Sequence, residues 1–106
     1  MTRSEARAAL QRALELSREL AVIADSGEIE ATIRLDTDRL QLLKAACGTL
    51  RPADEHERGL LREIIALNAV AIGTLQHRQR AMARDLDMMS VGRRAMRAYS
   101  ATGLRR

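Results

Sequence analysis

The sequence predicts an all-α fold, an antiparallel three-helix bundle in up-down-up order whose long third helix extends beyond the other two. Three observations carry that expectation. Ala, Leu, Arg and Glu dominate the composition, with a single Pro and a single aromatic, so intrinsic preference favours helix along nearly the whole chain. Helix-start chemistry recurs along the chain, and apolar residues fall in alternating steps of three and four, the spacing of one helical face. At 106 residues the chain supports one modest core, and a single helical domain is expected.

The first helix is expected over residues 3–24. Thr2 offers an N-cap acceptor, and Glu5, three residues on, can bond back to the cap's N–H. The second, over 27–49, follows Asp25 and Glu28 in the same relation, with Gly27 as the hinge of the turn. Gly48 weakens it and Pro52 stops it, because Pro has no N–H and restrains the residue before it. Asp54 and Glu57 open the third helix, expected from 54 to 90 and onward to 100, with a candidate break at Ser90, Val91 and Gly92.

The apolar spacing predicts how these helices pack. The second offers Ile29, Ile33, Asp36, Leu40, Leu43 and Cys47; the third offers Leu61, Ile65, Asn68, Ile72 and Leu75. Folded antiparallel they pair in register: 43 with 61, 40 with 65, 36 with 68, 33 with 72 and 29 with 75. The first helix joins through Leu10, Ala13, Leu16 or Ser17, Leu20 and Ile23. Ser17, Asp36 and Asn68 then form a polar layer, read as a structural device that fixes register; a general acid at Asp36 is the rarer use of such a layer.

Two helices of about 22 residues span roughly 33 Å, whereas a third running from 54 to 90 spans roughly 55 Å, so it overshoots. Past Gln76 the sequence turns strongly polar and keeps one apolar stripe: Met82, Leu86, Met89, Met96 and Tyr99. The stretch "RDLDMMSVGRRAMRAY", residues 84–99, holds three of the five Met and the only aromatic. Methionine adapts to irregular apolar partners, so this stripe reads as a docking face. A hinge at 90–92 that folds residues 93–101 back would instead make it ordinary core.

The net charge is +4, unevenly spread: residues 1–50 carry seven Lys/Arg against eight Asp/Glu, and residues 51–106 carry eleven against six. The eight Arg within 76–106 make a nucleic-acid binder an alternative class. The Arg are interleaved with the apolar stripe and no aromatic platform awaits bases, so nucleic acid ranks below a protein partner. The lone Cys47 forms no internal disulfide and reads as a small buried hydrophobe. Residues 1–24 lack the apolar run of a signal peptide, and the longest uncharged stretch, Ile64 to His77, is 14 residues. A spanning helix needs about 20. No membrane span and a cytoplasmic setting are expected. His56 and His77 have no partner at ligand spacing, so no metal or other cofactor is expected. Arg34, Arg39 and Arg62 with Asp36 suggest a small helical mutase as a remoter alternative. No phosphate loop or catalytic triad supports it, and no enzymatic activity is expected.

The segment "LLREIIALNAVAIGTLQHRQRAMARDLDMM", residues 60–89, followed by "AYSATG", 98–103, resembles the C-terminal half of flagellar type III export chaperones of the FlgN/FliT kind. "LAVIADSGEIEATIRLDTDRLQLLKAA", residues 20–46, is similar to that family's two-helix start. Ala71-Ile72-Gly73 departs from the FlgN pattern, and the short tail after Gly103 departs from the FliT one, so both subfamilies stay open. The resemblance implies an adaptor without catalysis. It would bind the amphipathic terminal helix of a hook-associated or cap protein and hand it to the export apparatus. By position in the last helix, it places client binding on Leu75, Met82, Leu86, Met89, Met96 and Tyr99. Without client, two copies are expected to pair their Met faces as a homodimer.

Overall fold

The computed structural model describes residues 1–103, which form three helices and no strand: α1 (Arg3–Ile23), α2 (Ile29–Thr49) and α3 (Glu55–Gly103). The chain divides into two compact units, Met1–Leu75 and Gln76–Arg106. Arg105 and Arg106, counted above in the basic tail, lie outside the described residues. α3 passes through Ser90, Val91 and Gly92 without a break.

Two of the three expected helix starts form as read. Thr2 Oγ1 accepts the Glu5 N–H at 3.1 Å, and Glu5 Oε1 accepts the Thr2 N–H at 3.4 Å. At α3, Asp54 Oδ1 accepts the Glu57 N–H and Glu57 Oε1 accepts the Asp54 N–H, both at 2.8 Å. The start of α2 differs. Glu28, not the expected Asp25, occupies the N-cap with no side-chain cap, and Ser26 Oγ accepts the Glu28 N–H at 3.1 Å. The same Ser26 hydroxyl donates to the Ile23 carbonyl at 2.6 Å, so it braces the end of α1 and the entry to α2 together. Gly27 has φ 82°, a left-handed conformation that a side chain would strain.

α1 supplies most of the core. Ala6, Ala9, Leu10, Ala13, Leu14, Leu16, Ser17 and Leu20 are buried along it, and the small Ala6, Ala9 and Ala13 leave room for close approach in its first half. Its early turns share a cluster with Ala46 and Leu50 at the end of α2 and with Ile64 of α3, while Leu20 and Ala24 share one with Leu35 and Ala71. The contacts therefore run in opposite order along α1 and α2. Arg3 and Arg7 meet Glu57, and Arg18 meets Glu63 at 3.0 Å, so along α1 and α3 they run in the same order.

The expected α2–α3 seam is where the structure departs from the sequence reading. Ile29, Ile33, Leu40, Ile65, Ile72 and Leu75 are all exposed. Leu43 and Leu61, the pair expected nearest the loop, do pack against the core, but farther along α3 the residues that turn inward are Ile64, Leu67 and Ala71, one position earlier than the expected Ile65, Asn68 and Ile72. On α2 they are Leu35, Arg39, Leu42 and Ala46, beside the expected Leu43. One residue is about 100° of helix, and each helix carries two neighbouring apolar rows. α1 takes one row from each, and the second pair of rows stays uncovered.

Glu57 ties the start of α3 to the start of α1. Its carboxylate is 0% exposed and accepts from Arg3 Nη2 at 2.5 Å and from Arg7 Nε at 2.8 Å; Arg7 also pairs with Asp54. Burial pushes the Glu57 carboxyl upward, but the Asp54 N–H and the two guanidinium groups outweigh it and hold it below its ordinary value. A carboxyl lowered on folding stabilises fully above its unfolded value of about 4.5, and that contribution fades as pH falls through the lowered folded value. Glu57→Gln is therefore expected to melt several degrees below wild type at neutral pH, with the gap closing under acid conditions. Thermal melts from pH 7 to pH 3 check this; a gap that stays constant would disprove the linkage.

α3 also contains an 18-residue window of mean hydropathy 1.2, apolar enough by length and composition to cross a membrane. The same helix gives Ile64 and Ala71 to the core.

Candidate functional site

Within the unit Met1–Leu75, the uncovered rows of α2 and α3 border a groove of about 320 Å³. Ile33 and Leu40 form its α2 wall, Ile72 and Leu75 its α3 wall, and Leu20 of α1 reaches its base. Ile33 is 60% exposed and Ile72 45%, so large aliphatic groups face solvent on both sides. Contiguous apolar surface of this kind is common where proteins meet partners or ligands. The spacing that builds it follows from the two-row pattern: 33 and 40 are two helical turns apart on α2, as are 68 and 75 on α3.

A polar cluster interrupts the groove. Arg39 lines it yet is only 5% exposed, and its Nη2 donates to Asp36 Oδ1 on the preceding turn. Arg39 Nε is buried and has no hydrogen-bond partner among the described residues. Asn68, across on α3, lines the same groove. Asp36 and Asn68 of the expected polar layer therefore share this groove, while Ser17 is buried in α1 and donates to its own Ala13 carbonyl at 2.8 Å. The burial of Arg39 is what the sequence reading missed. Arg39 lies on the neighbouring row, one residue before Leu40, so the apolar spacing gave no signal for it.

The late stripe belongs to the second unit, Gln76–Arg106. Met82, Leu86, Met89, Met96 and Tyr99 are all exposed, Met89 at 58% and Tyr99 at 81%. No residue from 76 to 100 is buried, so the stripe is not the covered core that a fold-back at Gly92 would make. Leu75, assigned with these residues from sequence, sits instead in the α3 wall of the groove.

The Arg residues that suggested a small helical mutase do not converge. Arg39 pairs with Asp36, Arg62 with Glu55 at 2.8 Å on the surface, and Arg34 is exposed on another face. Cys47 is half-buried with a free thiol. Among the described residues no group of three or more His, Cys, Asp or Glu is placed to hold a metal.

An all-helical chain that leaves aliphatic rows open in a groove, and a second apolar row along a basic helix, has the kind of surface that helix-in-groove recognition uses. The family described as flagellar protein FliT matches residues 7–101, and the chain belongs to that family of flagellar export chaperones. No curated protein and no solved structure matches the chain.

Proposed function

We propose that this chain binds the amphipathic terminal helix of an axial flagellar protein, of the hook-associated or cap kind, in the cytoplasm and delivers it to the type III export apparatus. Family membership supports the chaperone role. The observation that carries helix binding is the open groove, where Ile33, Leu40, Ile72 and Leu75 present aliphatic groups to solvent on facing helices. The order of contacts along α1, α2 and α3 supports an up-down-up bundle as the scaffold that holds those two walls.

The late stripe of Met82, Leu86, Met89, Met96 and Tyr99 offers a further apolar row for the same client or, without client, for a second copy. Here polarizable, unbranched side chains suit partners of irregular shape. Met89→Asp is expected to weaken client capture about tenfold, by placing a charge against an apolar helix, whereas reversing Arg93 and Arg94 to Glu changes it less. Co-purification with co-expressed hook-associated and cap proteins checks this, using wild type, both variants and a chain ending at Gln76. A larger loss from the Arg reversals would point to an electrostatic site, and full capture by the shortened chain would remove the stripe from the client surface.

A further inference from the structure

The groove is apolar on both walls and yet holds a buried cation whose hydrogen bonding is incomplete. Guanidinium carries five N–H donors in a rigid fork. In Arg39 one of them is used by Asp36, and the buried Nε–H meets no acceptor among the described residues. Asp36 itself remains about half exposed, so this pair is sealed from solvent only on the Arg39 side. Asn68 adds a second polar group within the same lining.

A helix that covers this groove with aliphatic residues alone would strip the remaining water from Arg39 and Asn68 and give nothing in return. A helix that brings a side-chain oxygen to the same place would satisfy them. Sites built around an unfilled hydrogen bond discriminate more sharply than apolar pockets, because the wrong ligand leaves a buried donor unpaired.

We propose that Arg39 is a specificity-determining residue. The helix accepted by the groove presents one side-chain oxygen, from a carboxylate or an amide, among its apolar residues and opposite the Arg39 guanidinium. This rests on the reading of the groove as a helix-docking surface. The charge at the centre of the groove also sets register, since sliding the bound helix by a turn would move the oxygen away and put an aliphatic group over the cation.

The test uses fluorescently labelled, designed amphipathic 20-residue helices with a Leu/Ile face, titrated against the full-length protein and followed by anisotropy. One peptide keeps Leu at all core positions; the others carry Gln or Glu at a single core position, moved stepwise along the face. Wild type is expected to bind the best-placed Gln and Glu peptides roughly tenfold more tightly than the all-Leu peptide, and only at one position along the face. Arg39→Met should level or reverse that preference, and Arg39→Lys, which keeps the charge but loses the fork, should blunt it. Circular dichroism establishes that each variant is folded; if Arg39→Met is not, Arg39→Lys and the positional scan on wild type carry the decision. Equal binding of all peptides, a preference for all-Leu, or an unchanged preference in a folded Arg39 variant would overturn the inference while leaving the docking surface standing. Failure of every peptide to bind would remove the docking reading itself.

Discussion

Leu10→Ala is expected to destabilise the protein by about 2–5 kcal/mol, the range for truncating a fully buried leucine. Leu10 is 0% exposed in the cluster that joins α1 to Ala46 and Leu50 of α2 and Ile64 of α3. Several of its neighbours in that cluster are alanines already at the minimum useful size, so the surroundings have little side chain with which to refill a void. Leu40→Ala provides the control. That residue is 45% exposed in the groove wall, and its truncation should cost under about 1 kcal/mol. Urea unfolding followed by circular dichroism measures both, and similar losses at the two sites would mean that the buried face has been wrongly assigned.

Ile72→Asp is expected to abolish capture of the client helix, or weaken it by more than about tenfold, since an ionised group would be buried against apolar side chains in the complex. The fold should survive the change. Ile72 is 45% exposed and already faces water, whereas Ala71 beside it is buried at 2%. The decisive comparison is pull-down of co-expressed client by wild type, Ile72→Asp and Ile33→Asp, alongside their melting temperatures. Unchanged capture by both folded variants would exclude the groove as the docking surface and leave the late stripe as the client site.

How much of this was legible in advance depended on how local each signal was. The boxes at Thr2–Glu5 and Asp54–Glu57 formed as read because they involve groups three residues apart. The third, at Asp25–Glu28, differs for an equally local reason: α2 takes Glu28 as its N-cap, and the Ser26 hydroxyl accepts the Glu28 N–H and also holds the end of α1. Spacing alone could say that α2 and α3 carry apolar rows, but not which row α1 would cover. Pairing α2 and α3 without α1 held at Leu43 and Leu61, which reach the core, but Ile33, Leu40, Ile65 and Ile72 stay exposed because α1 covers the neighbouring row. Burial of Glu57 and Arg39 was beyond reach from spacing. The partners of Glu57 on α1 come from residues about 50 positions away, and Arg39 is enclosed only because its face, not that of Ile33 and Leu40, turns inward.

The uneven burial of α2 gives its two ends different duties. Ala46 and Leu50 anchor the late end, while Ile29 and Ile33 near the early end remain in water beside the Gly27 turn. Local opening is easiest where the fewest apolar contacts must be broken. That difference marks the first turns of α2, rather than its end, as the part of the helix that opens at least cost.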